Sequence, residues 1–236
     1  MKKTYKQRVH RSDAIKRGGH VMEFIPIVDS ETLEFKGFAE REWCEKNKLC
    51  HLTTLLVPVF CDDLKVAVQI RPEGKSFAGC YDFFGGHINF DREFLGLLLG
   101  EPFDLSRIVW SAAVREANEE LQVRREDGYP EIITHEHLAI IGTIGDFPLS
   151  WDQNVERSTL FLVKIPEKCS IYPMEEVNGR VVRVKTESLF LNEIQKKYVT
   201  GQWRVADGID RILMRLQKDD TLMEKFTHLM KTICQQ

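Results

Sequence analysis

Apolar residues recur along this chain in two rhythms. Alternation and short apolar runs, the mark of strands, cover residues 23–29, 52–60, 65–70, 139–144, 159–165 and 181–184. Pro26 has no N–H to give a sheet ladder, which predicts an edge position for the first of these. The turn Cys61-Asp62-Asp63 joins the second and third into a hairpin. Helical spacing covers residues 38–46 and 205–217, the latter with Ile209, Ile212, Leu213 and Leu216 on one stripe. Residues 223–233 form a terminal amphipathic helix. A further helix has Ala112, Ala113, Val114, Ala117 and Leu121 on its apolar side. This order predicts an α+β fold, a mixed sheet between helices.

The most informative stretch of that further helix is Arg115-Glu116-Ala117-Asn118-Glu119-Glu120-Leu121. At about 100° per residue, Glu119 and Glu120 both fall within roughly 60° of Glu116 around the axis. Like charges so spaced repel, and the helix gains no stability from them. A hard divalent cation reverses the sign, because Mg²⁺ and Mn²⁺ take oxygen ligands. An isolated E-x-x-E-E also fits a merely solvated acidic face. Its surroundings argue for more. Upstream lies Tyr81-Asp82-Phe83-Phe84-Gly85-Gly86-His87-Ile88, an aromatic run closing on a double glycine.

Together these segments resemble the signature of the Nudix hydrolase family: glycine, five residues, Glu, seven residues, then Arg-Glu-apolar-x-Glu-Glu-x-Gly-apolar. Gly86 matches the opening glycine, residues 115–120 the second half, and Ala117 and Val123 the apolar positions. The resemblance implies an α/β/α sandwich and Mg²⁺ or Mn²⁺ held by Glu116, Glu119, Glu120 and the backbone carbonyl of Gly85. It gives Arg115 a supporting role beside those carboxylates. From Gly86 to Arg115 is 29 positions where the family has 14, so 15 extra residues, an insertion at about 89–106, interrupt the signature. The intermediate glutamate is therefore open between Glu93, nearest in spacing and taken as structural support, and Glu101. The leucine-rich part of the insertion, 94–99, is expected to pack against something, and the insertion to border the cleft. Gln122 stands where the family has Gly, so the helix either ends differently or runs on towards Arg124 and Arg125.

The N-terminal half narrows the likeness. Phe24-Ile25-Pro26-Ile27-Val28-Asp29, Gly37-Phe38-Ala39-Glu40-Arg41 and Leu49-Cys50-His51-Leu52 resemble the isopentenyl-diphosphate-isomerase-like branch. Those isomerases place a catalytic Cys two residues before the His of their G-H pair, where this chain has Gly85. Their pair of metal-binding histidines is matched by His51, but the residue seven before it is Cys44. Cys44, His51 and His87 thus form a candidate secondary Zn²⁺ site. The plainer reading is a buried thiol and two ordinary histidines.

Composition sets the frame. At 236 residues and 43% apolar, the chain can bury one large core. It divides into a basic N-terminal segment (1–21), a Nudix-like domain (22–217) and a C-terminal helix (218–236). A net charge of −3 gives no bulk attraction to nucleic acid, and the basic residues of the first 17 read as a solvated terminus. No apolar run approaches the ~20 residues that span a bilayer. Six cysteines without a C-x-x-C pair read as reduced thiols, and the expected location is cytoplasmic.

The expected activity is metal-dependent hydrolysis of a diphosphate bond, in a nucleoside diphosphate linked to another moiety or a related organic diphosphate. Glu119 and Glu120 serve catalysis. Glu156 is the first choice of general base, with Glu175 and Glu176 as runners-up. Tyr81, Phe147 and Trp151 could stack on a base, although single aromatics more often belong to the core. The partner is a small-molecule diphosphate, and a homodimer is left open. Two alternatives stand beside this: a non-catalytic ligand-binding or regulatory domain, and an isoprenoid diphosphate isomerase.

Overall fold

A computed structural model describes residues 16–17, 20–21, 23–89, 104–151 and 154–235. Glu93, Glu101 and the insertion from 90 to 103 lie outside the described residues, as does most of the basic segment 1–21. In chain order the main elements are strands β1 (Phe24–Val28) and β2 (Phe35–Glu40) and helix α1 (Arg41–Lys46). Strands β3 (His51–Phe60), β4 (Val66–Ile70), β5 (Tyr81–Asp82) and β6 (Phe84–His87) follow. Helix α2 (Leu105–Glu116) runs into a π-helical turn, Ala117–Leu121. Strands β7 (Leu138–Trp151), β8 (Asn154–Ile165), β9 (Met174–Val177), β10 (Arg180–Arg183) and β11 (Lys185–Leu189) come next. Helices α3 (Leu191–Val199), α4 (Asp207–Lys218) and α5 (Asp220–Gln235) complete the chain.

The main sheet runs β7-β8-β3-β1-β2, with β6 also on β3 and β4 between β5 and β11. β8 lies parallel to β3 and the other pairs are antiparallel. Because side chains alternate along a strand, β8 feeds two cores. Phe161, Val163 and Ile165 pack with Ala112, Ala113, Ala117 and Leu121 of the α2 region. Leu160 and Leu162 pack with Ile209, Ile212 and Leu213 of α4 and Phe226, Met230 and Ile233 of α5. Each fully buried aliphatic or Phe side chain contributes about 1.5–3 kcal/mol. The result is a mixed sheet between helical layers, and the C-terminal helix shares a core with α4.

Several local expectations change. The helix expected over 38–46 is shorter, because Phe38, Ala39 and Glu40 pair with Pro26, Ile25 and Phe24 as part of β2. β1 is not the edge; β2 lies outside it. β3 reaches β1 only at Ile27–His51, so the missing N–H of Pro26 interrupts no longer ladder there. The strand expected at 159–165 begins at Asn154 and carries Glu156 into the sheet. The tail of the expected insertion belongs to α2, which Asp104 caps by accepting the Arg107 N–H at 3.2 Å. Not all cysteines are thiols: Cys61 and Cys234 form a disulfide tying the β3–β4 turn to α5, while Cys44, Cys50, Cys80 and Cys169 are free. Sequence spacing could not show this, since the pair is 173 residues apart. Among the described residues, no helix is long and apolar enough to cross a membrane.

Candidate active site

Strand β6 is gripped from one side by the end of the carboxylate helix. The Gly85 N–H donates to Glu120 Oε2 at 2.8 Å, and Arg115 Nη2 donates to the His87 carbonyl at 3.0 Å. Between them, Glu116 lies so close to Gly86 that a Cβ there would sit 2.6 Å from Oε1 and 2.8 Å from Oε2. Arg115 Nη1 holds Glu116 Oε1 at 2.6 Å and Glu119 Oε2 at 3.2 Å. Gly85 has φ +130°, and a side chain on it would run into the Thr54 backbone. The double glycine is thus required twice over, once by β3 and once by Glu116.

The regular stripe expected of the three glutamates is altered by the π turn, which widens the helix at 117–121. Glu116 is buried and Glu120 half-buried, whereas Glu119 is exposed beside Arg115. The helix stops at Gln122, which adopts φ 44°, ψ 58° and so takes the left-handed conformation usually given to Gly. It does not continue: Arg124 and Arg125 pair with Ser170 and Cys169.

Burial pushes the Glu120 carboxyl well above its ordinary range, the Glu116 charge adds to the rise, and the Gly85 N–H opposes it. Glu175 raises it further and Lys75 lowers it, placing both in the same electrostatic neighbourhood. Two carboxylates packed on a backbone of glycines suit a hard divalent cation, which would remove their mutual repulsion. What the structure shows of Gly85 itself is its amide on Glu120.

On the same strand, His87 belongs to a second group. His51, His87 and Glu156 each offer a ligand atom, all within 4.8 Å of one another. His51 Nε2 and His87 Nε2 lie 3.7 and 3.6 Å from Glu156 Oε1, too far for a hydrogen bond, and both are buried without a hydrogen-bond partner among the described residues. His51 Nδ1 sits 3.0 Å from the Leu49 carbonyl. A carbonyl only accepts, so Nδ1 is the donor and Nε2 faces Glu156. Burial, then the nearby Arg41 charge and His51, hold His87 well below the usual imidazole range. The secondary set expected from the sequence was Cys44, His51 and His87. The structure brings the histidines together but puts Glu156 beside them in place of Cys44. Cys44 sits buried on α1, where burial pushes its thiol up to about 11. Glu156 Oε1 accepts from Asn154 Nδ2 at 2.6 Å, and Oε2 from Thr53 Oγ1 at 3.4 Å.

Asp82, quoted in the aromatic run but given no role, is buried with Arg71 Nη1 at 2.9 Å from Oδ2. Burial outweighs that arginine and pushes its carboxyl up to about 6. A charged residue inside an apolar run was the signal. Lys75, on the 71–80 connection, pairs with Glu175 at 2.7 Å, and no local pattern marks that meeting. Tyr81 is stacked on Trp203 at 4.0 Å with its hydroxyl on Glu187, and Phe147 is core. The side chain of Trp151 lies outside the described residues.

No family model and no curated sequence matches the chain. Solved structures resemble it in fold. A protein of Deinococcus radiodurans is 15% identical with TM-score 0.50, covering 82% of this chain and 98% of its own. A NUDIX hydrolase from Alicyclobacillus acidocaldarius is 15% identical with TM-score 0.46, covering 70% and 90%. A MutT protein from Methanosarcina mazei is 11% identical with TM-score 0.43, covering 73% and 96%. At these identities the likeness is one of mixed α+β fold alone.

Proposed function

We propose that this chain hydrolyses a diphosphate bond with a divalent cation, Mg²⁺ or Mn²⁺, acting on a nucleoside diphosphate linked to another moiety or a related organic diphosphate. The observation that carries the reading is the packing of Glu116 and Glu120 on Gly85–Gly86, where two carboxylates are forced together at a backbone with no room for side chains. When bound there, a divalent cation neutralises a diphosphate and lowers the pKa of a water. Glu116 and Glu120 are its carboxylate ligands, the Gly85 carbonyl and Glu119 complete the set, and Arg115 fixes the carboxylates. His51, His87 and Glu156 form a second, borderline-metal centre, since two imidazole nitrogens and one carboxylate suit Zn²⁺ or Mn²⁺.

That second centre favours, as another reading, the isomerase branch. Against it stands Gly85: a Cys in that position has no room for its Cβ beside Thr54. The test is product release from ADP-ribose, UDP-glucose, NADH, GTP and isopentenyl diphosphate with each metal. Hydrolysis that disappears in Glu120→Gln supports the reading. Tight binding without product would leave a ligand-binding domain, and double-bond migration would restore the isomerase.

A further inference from the structure

We propose that Glu175 accepts the proton of the attacking water, with Lys75 as its positioning residue. This rests on the hydrolase reading above. Glu175 stands on β9, which packs against the π turn that carries Glu120. The Tyr172 N–H donates to the Leu121 carbonyl at 2.9 Å, fastening the approach to β9 onto the end of that turn. From the other side, the 71–80 connection is docked on the β9–β10 hairpin. A Cβ on Gly74 would come 2.8 Å from Val177 Cγ1 and 3.1 Å from Asn178 Nδ2, and Gly74 has φ +88°. The next residue, Lys75, reaches Glu175 Oε1 at 2.7 Å.

Among the described residues, Glu175 Oε2 is buried with no hydrogen-bond partner. A buried acceptor gains from a donor supplied by the site. A water held at the adjacent carboxylates is that donor. The other carboxylates here are engaged: Glu116 by Arg115, Glu120 by the Gly85 amide, and Glu156 on both oxygens by Asn154 and Thr53. Glu175 therefore takes the role first expected of Glu156. In the step, the water oxygen forms a bond to phosphorus as the bridging P–O bond breaks. The bridging oxygen departs with the leaving phosphate and keeps that electron pair, and the water proton passes to Glu175 Oε2. Lys75 holds Oε1 and so fixes the side chain.

The experiment uses the full chain with Mn²⁺ and the five-compound panel above. In Glu175→Gln, kcat is expected to fall about 100-fold or more while KM stays within about threefold, as for loss of a general base. Mn²⁺ affinity, read by electron paramagnetic resonance, is unchanged. Lys75→Ala lowers kcat less, again with little change in KM, and Lys75→Arg restores it. Should Glu175→Gln fail to fold, Glu175→Asp is expected to lower kcat with Mn²⁺ affinity unchanged. An active wild type whose Glu175→Gln variant retains its kcat, or loses Mn²⁺ affinity in step with kcat, overturns the assignment alone. A wild type inactive on the whole panel overturns the hydrolase reading and this one with it.

Discussion

Gly86→Ala is a clean perturbation of the site, because Gly86, unlike Gly85, is not among the positive-φ glycines and alanine meets no backbone penalty. The nearest obstacle is Glu116. The new Cβ would lie 2.6–2.8 Å from the carboxylate atoms, where ordinary contact begins at 3.4 Å. Glu116 must therefore retreat by about 0.6–0.8 Å. Retreat disturbs the 2.6 Å bond from Arg115, which also holds Glu119 and the His87 carbonyl. Overpacking of this kind costs about 1–3 kcal/mol of stability, and a misplacement near 1 Å costs on the order of 100-fold in turnover. Thermal unfolding, Mn²⁺ titration and kcat/KM on the best panel substrate measure the three consequences. All should move together, and Glu116→Asp in the Gly86→Ala background should recover part of the stability but not the turnover. A Gly86→Ala protein with wild-type stability, metal affinity and rate would refute the claim that glycine is needed to admit Glu116.

Other outcomes follow from separate parts of the molecule. Asp82 should titrate near pH 6 by carboxyl NMR; its folded pKa exceeds the 3.8 of the free side chain, so its contribution is present below 3.8 and is lost as pH rises to 6. The loss is at most about 3 kcal/mol, and a midpoint at or below 4 would contradict it. Gln122→Gly should raise stability by up to about 1 kcal/mol in denaturant unfolding, because it relieves a left-handed Gln; a destabilised variant would mean its side chain contributes more than its strain costs. Cys234→Ser should lower stability by about 2–5 kcal/mol, since the bond closes a loop spanning 173 residues, and reduction of the wild type should match it in a melting scan.

The sequence carried the fold class because its signals are local. The apolar runs of β3 and β8 form strands buried on both faces, and the 3.6-residue stripe of α4 survives as its buried side. Misreadings fell where two segments compete for one stretch. Residues 38–40 have helical spacing, but their backbone is worth more as the partner of β1. Likewise Glu119 leaves the stripe because a π turn, with Ala117 and Leu121 buried in it, replaces the ideal helical angle.

For the site, the sequence by itself determined the chemistry on offer: an arginine and three glutamates on one helix, and two glycines before a histidine. Those are short-range facts, fixed by spacing along one element. Only the tertiary structure decided which groups meet. It set Glu156 between His51 and His87, left Cys44 on α1 away from them, joined Lys75 to Glu175 and closed Cys61 onto Cys234. Such meetings depend on strand register and on which sheet face a helix covers. Those are choices of the whole core's free energy, which no local window of residues contains.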